Sequence, residues 1–192
     1  VKEKKMNARV KQMSAVAVIA AVAGISSVAR ADVAITSFTP GDLVVLRGGD
    51  ATNPDTAAST SQVSIYLDEY TKSGSYVGTI AVPNSGSGAL TLPSIGDFEH
   101  QGVLNLSTNG QLFSFAGYNV AAGSPDADAQ AGADQPVIGY IGAYNKSVGL
   151  NTSTVVNSYG PGSANPYIRG AFTNDGSSFY TFGKYPASNA TS

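Results

Sequence analysis

"LSTNGQLFSFAGY", Leu106 to Tyr118, and "FTNDGSSFYTFGKY", Phe172 to Tyr185, are two versions of one phrase. Each runs from polar residues through Asn-Gly or Asp-Gly into an aromatic-rich run that reaches a glycine. They align Gly110 with Gly176 and Gly117 with Gly183, an offset of 66 residues. An Asn-Gly or Asp-Gly pair between alternating apolar residues is a hairpin signal, because both residues tolerate the positive φ angles of a type I′ turn. Such a turn at Asn109-Gly110 sets Leu106 opposite Phe113 and Leu104 opposite Phe115 on one apolar face. Ser107 then meets Leu112, and Val103 meets Ala116, on the other face. The same turn at Asp175-Gly176 sets Phe172 opposite Phe179 on one face, and Ala171 opposite Tyr180 and Arg169 opposite Phe182 on the other. Large apolar groups on both faces of this second hairpin predict a sheet covered on both sides.

The chain from Asp32 onward reads the same way throughout. Gly, Ser, Thr, Asn and Pro recur every few residues and break up any helical apolar period. Short runs rich in Val, Ile, Tyr and Phe, bounded by turn residues, are strand signatures. They predict a strand in "DLVVLRGGD" (Asp42 to Asp50), a short strand at Ala89 to Leu92 and two strands in Pro136 to Val156. Between Val63 and Pro83 they predict a hairpin about Ser73-Gly74, with Leu67 opposite Ile80 and Ile65 opposite Val82. Internal repeats of several strands point to propellers, solenoids or tandem sandwiches. Sheets buried on both faces, about four strands per unit and long polar connections fit a propeller best. The expected fold is therefore all-β: antiparallel repeated hairpins in four-stranded blades, a partial β-propeller, with a single β-sandwich as the alternative. Residues 32–192 then hold the first two to three blades. A closed ring takes at least about four, so the pattern implies the front part of a longer protein or a minimal open stack of sheets.

Residues 1–31 have a different character. Lys2, Lys4, Lys5, Arg9 and Lys11 form a basic region, Ala15 to Val28 is apolar and built of small residues, and Ala29-Arg30-Ala31 is an A-x-A cleavage site. Those three parts in that order are a secretory signal peptide. The apolar run is shorter than the about 20 residues of a membrane-spanning helix, and it has no polar face for lying on a bilayer. Met6 and Met13 are both positions from which translation would keep a working leader. Cleavage after Ala31 takes the 192-residue chain to 161 residues with no cysteine, so the exported domain must hold together by packing. Those residues carry five Lys and Arg against twelve Asp and Glu, a net charge of −7. That balance argues against nucleic acid, whose phosphates need clustered cations, and against anionic membrane surfaces.

"GDLVVLRGGD", "YLDEYTKSGSYVGTIAVP", "QGVLNLSTNGQLFSFAGYN" and "IRGAFTNDGSSFYTFGK" together resemble the opening blades of a group of secreted bacterial β-propeller proteins. In that group a "GDLVV-R-GD" strand precedes an "LDEY...G" hairpin, followed by units of the form "EG-L--S-DG--L---GY" and "R-----DG--FW--G". The resemblance covers nearly all of Ile35 to Lys184. The sequence departs from it at "DADAQAGADQ" (Asp126 to Gln135), which looks like an insertion, and at Phe179-Tyr180, where a Trp is commoner. It also contains no surface-sorting tail of the kind that members often carry at their C-terminus. The resemblance implies architecture and an extracellular or cell-surface location; it implies no activity and no catalytic residue.

Few residues suggest chemistry. Asp68 and Glu69 are adjacent, but neighbours on a strand point to opposite faces, so they are expected to form a solvated or turn-bonded edge and not a shared acid-base site. His100 is the sole histidine and lies beside Glu99 in a predicted loop without a nucleophile elbow, which reads as a surface residue. Asp126, Asp128 and Asp134 form the one acidic cluster. An EF-hand fails there, because Gln130 stands at position five, Gly132 at seven and Val137 at twelve; a solvated loop is expected. Gly48-Gly49 lacks the Lys-Ser/Thr of a phosphate loop. Asn105, Asn145, Asn151 and Asn189 begin glycosylation sequons, of which Asn105 lies in a predicted strand. The sequence thus assigns no catalytic, cofactor-binding or metal-binding residue and no cofactor. It predicts an exported, non-catalytic protein that contacts a surface polymer or another protein, without stable membrane insertion once the leader is removed. The alternatives are the front part of a secreted hydrolase or lactonase-like propeller whose catalytic residues lie in further blades outside this sequence, and a fibre-like sandwich that pairs its edges with neighbours.

Overall fold

Strands form where the apolar runs fall between turn residues, and among the described residues there are nine strands and no helix. The computed structural model describes residues 33–49, 61–93, 101–125, 136–144, 147–156 and 167–184. The leader, His100 and the stretch from Asp126 to Asp134 lie outside them.

Three sheets result. Sheet 1 is the antiparallel meander β1 (Leu43–Gly49), β2 (Ser64–Tyr70) and β3 (Tyr76–Ala81). Sheet 2 is a four-stranded antiparallel meander of β4 (Asn105–Leu106), β5 (Leu112–Tyr118), β6 (Pro136–Gly142) and β7 (Asn151–Val155). Sheet 3 is the hairpin β8 (Tyr167–Thr173) and β9 (Phe179–Lys184). The first hairpin has the expected register, with Leu67 opposite Ile80 and the Val82 N–H donating to Ile65 O at 3.0 Å. Residues 33–35 run parallel to the far edge of β3, held by Thr79 N–H to Val33 O at 2.8 Å and Ile35 N–H to Thr79 O at 3.0 Å. Thr91 and Leu92 form bridges, not a full strand. Leu92 exchanges backbone bonds with Val63, and Thr91 with Tyr118, so this dipeptide splices sheet 1 to sheet 2. Gly117 is required there, since a Cβ on it would run into the Thr91 carbonyl.

The sheets stack in three layers. Strand alternation sends Ile65, Leu67, Ile80 and Val82 from sheet 1 toward Phe113, Phe115, Val137 and Ile141 of sheet 2, and all eight are buried in one cluster. The opposite face of sheet 2 carries Ala116, Tyr118 and Ile138, which pack with Ile168 and Ala171 of β8 in a second cluster. Every residue of β5 is therefore buried, as a strand covered on both faces must be.

Two expectations for the repeated hairpins need correcting. The turn in "STNGQL" is centred one residue early: Gly110 N–H donates to Ser107 O at 2.8 Å, and Gly110 follows with φ 71°. The register Leu106 to Phe113 survives, because Ser107 N–H still reaches Leu112 O at 2.8 Å, but Val103 bridges to Gly170 and not to Ala116. In the second hairpin the register is displaced by one residue: Phe172 faces Tyr180, Ala171 faces Thr181 and Gly170 faces Phe182. The cause is Thr173. Its Oγ1 accepts from Gly176 N–H at 2.8 Å and donates to Ser178 O at 2.6 Å, closing a longer loop that places Thr173 opposite Phe179. A bulge between Ile168 and Gly170 absorbs the displaced residue. The aromatic side chains Phe172, Tyr180 and Phe182 consequently share one face, and that face is exposed rather than covered.

Candidate functional site

The outer face of sheet 1 gathers a cluster of hydrogen-bonded polar side chains. Arg47, on β1, lies opposite Tyr66 on β2, and Asp68 lies opposite Thr79 on β3. Arg47 Nε donates to Asp68 Oδ2 at 2.6 Å and Nη2 to Oδ1 at 3.2 Å, a two-point clasp that fixes the carboxylate plane. Thr79 Oγ1 donates to Asp68 Oδ1, so its own oxygen is left to accept the Tyr76 hydroxyl at 2.6 Å. The guanidinium lies 4.3 Å from the centroid of the Tyr66 ring, where the ring's negative face attracts it.

Of the solvated or turn-bonded edge expected at Asp68 and Glu69, the solvated part is overturned: they are 3% and 1% exposed. Alternation does send them to opposite faces. Asp68 joins the cluster just described, while Glu69 turns toward the core and accepts the Thr39 N–H at 2.5 Å. Each carboxylate therefore holds a structural partner, and the two do not form an acid-base pair. His100, Asp126, Asp128 and Asp134 lie outside the described residues, and no group of three or more potential metal ligands occurs among the described ones. No helix among the described residues is long and apolar enough to cross a membrane. Asn105 spends its side-chain amide on the Ala171 carbonyl at 2.9 Å, which occupies the group that glycosylation would modify.

Sequence reasoning missed a second feature, the seam between sheets 2 and 3. Val103 pairs in parallel with Gly170. Val103 N–H donates to Arg169 O at 3.3 Å, Thr108 N–H to Thr173 O at 3.4 Å and Asn109 N–H to Asn174 O at 3.1 Å. Side chains reinforce it: Thr108 Oγ1 donates to Asn174 Oδ1 at 3.1 Å, and Ser114 Oγ to the same Ala171 carbonyl that Asn105 binds, at 3.0 Å. The Asn105 and Thr108 bonds both join residues 66 apart, the offset at which the two phrases align. Equivalent positions of the repeat therefore touch. The alignment at Gly110 and Gly176 was the signal available for this seam. Beside it, both amide atoms of Gln101 and the Nε of Arg169 are buried without a hydrogen-bond partner among the described residues.

No protein-family model, curated protein or solved structure matches the chain.

Proposed function

We propose that the chain is an exported, non-catalytic protein with propeller-like stacked sheets, which acts at or outside the cell surface by holding a surface polymer or another protein. The observation that carries this reading is the seam at the repeat offset. Successive units touch through equivalent residues, which is how repeat architectures build an extended scaffold from parts that cannot bury both faces alone. The leader pattern of residues 1–31 supports export. The closed partnerships of Asp68 and Glu69 support a structural role for the two carboxylates that a hydrolase would be expected to keep free.

The second reading, a secreted hydrolase or lactonase-like propeller, draws on Gln101 and Arg169. An amide and a guanidinium nitrogen that are buried and have no hydrogen-bond partner among the described residues are groups that a polar substrate would satisfy. One experiment separates the two. The secreted product is sequenced from its N-terminus, then co-sedimented with insoluble envelope polymers and incubated with lactone, ester and glycoside substrates. A product that begins at Asp32 and binds saturably without turnover supports the first reading. Turnover abolished by Arg169→Met supports the second, and a chain retained in the cytoplasm overturns both.

A further inference from the structure

Arg169 is a cation without a counter-charge. Residues 32–192 hold five Lys and Arg among twelve acids, so the chain has acids to spare for pairing. Arg47 has Asp68, yet no ion pair to Arg169 occurs among the described residues, and its Nε is buried without a hydrogen-bond partner there. The fold singles this residue out. It is the one that the β8 bulge leaves opposite nothing on β9, and bulges re-aim a side chain. It also stands 66 residues after Val103, whose N–H donates to its carbonyl. Equivalent positions of the repeat thus carry valine in one unit and arginine in the next, so the seam itself does not need the charge.

Gln101 lies two residues before Val103, across Gly102 with its φ of 75°. It is 6% exposed, and neither its Oε1 nor its Nε2 has a partner among the described residues. An amide oxygen accepts what a guanidinium donates, but these two side chains do not join. A buried amide costs stability unless something satisfies it. The seam opens to the surface beside the pair, since Val103 is 39% exposed and Arg169 only half-buried.

We infer that Gln101 and Arg169 form a binding site for a carboxylate with a hydroxyl beside it, as in a free hydroxy acid or a uronic acid unit of a polysaccharide. The planar guanidinium takes the carboxylate as a charge-assisted fork. The hydroxyl both donates and accepts, so it serves the amide oxygen and nitrogen together; a carboxylate alone offers that oxygen no donor. An acidic chain repels anions at a distance, so capture comes from the local pair and not from the general field. The inference rests on the residues from which the second reading draws and names their ligand, and it needs neither turnover nor export.

Isothermal titration calorimetry on the secreted form tests it. Galacturonate and its trimer are the probes. Galactose lacks the carboxylate, acetate lacks the hydroxyl, and N-acetyl-alanyl-alanine carries a peptide carboxylate. Both probes are expected to saturate, with the three controls about tenfold or more weaker. A trimer that binds tighter than the monomer identifies a polymer as the source, and equal binding identifies the free acid; either keeps the site. Arg169→Met should weaken galacturonate by about tenfold or more. Gln101→Glu supplies a carboxylate from the chain itself, so it should weaken the probe as much while melting no lower than wild type. That variant carries the test if Arg169→Met does not fold. A wild type that binds neither probe overturns the inference, as does either folded variant binding like wild type. So does Gln101→Glu melting lower, or any control binding as tightly as galacturonate. Because heat of binding is read and not product, absent turnover would sink the second reading and leave the site standing.

Discussion

Without Arg47, the Asp68 carboxylate would keep a hydroxyl partner alone, at a place from which water is nearly excluded. A buried charge stripped of its counter-charge is costly, whereas a buried pair replaced as a unit by apolar groups is often neutral. Arg47→Leu is accordingly expected to destabilise the chain by about 3 to 5 kcal/mol, read as a lower urea midpoint. Arg47→Leu with Asp68→Leu should recover most of that loss. If the double variant is as unstable as the single, the penalty comes from lost packing over Tyr66 and not from the orphaned carboxylate. Glu69 differs in kind. Its partner is a backbone N–H, so it ties the 33–42 segment to β2 instead of balancing a charge.

Hairpins are the elements that local chemistry specifies best, and the two repeated turns share it closely. Asn109 Oδ1 accepts the Gln111 N–H at 3.1 Å, and Asp175 Oδ1 accepts the Ser177 N–H at 2.9 Å and its hydroxyl at 2.6 Å. Those bonds, the Ser177 hydroxyl first, hold the exposed Asp175 carboxyl below its ordinary range. The folded state thus favours the ionised form. The resulting stability is present above the ordinary carboxylate range and disappears as pH falls through the lowered folded value. Because Asn109 makes the corresponding bond, Asp175→Asn should melt near wild type at neutral pH and lose less on acidification. Melting temperatures measured against pH in both proteins check this, and parallel acid slopes would sink it. The same chemistry explains what the sequence disclosed. The hairpins, the first register, the strand pair in 136–156 and the opposed faces of Asp68 and Glu69 follow from turn residues and alternation within a few positions. The slip at β8–β9 was hidden because one hydroxyl, on Thr173, enlarges the loop. The burial of Asp68 was hidden because alternation says which way a side chain points and not what covers it.

At the scale of the whole molecule, the layers are held together by contacts between distant residues. Tyr118, fully buried in sheet 2, accepts the Ile168 N–H of sheet 3 on its hydroxyl at 3.2 Å. Tyr118→Phe leaves that buried donor unsatisfied and is expected to cost about 1 to 3 kcal/mol. Amide exchange should locate the loss, with β8 and β9 losing protection before β2 and β3; uniform loss would mean that the sheets open as one unit.

The burial of sheet 2 on both faces also imposes an order in time. Its first cover, sheet 1, precedes it in the chain, and its second, β8, follows it. A polypeptide delivered from its N-terminus, by a ribosome or through an export channel, can therefore finish the first core while Ala116, Tyr118 and Ile138 still face water. Until Ile168 and Ala171 arrive, the nascent molecule is half a protein with an adhesive side. That interval, more than the finished fold, is when it would need a chaperone.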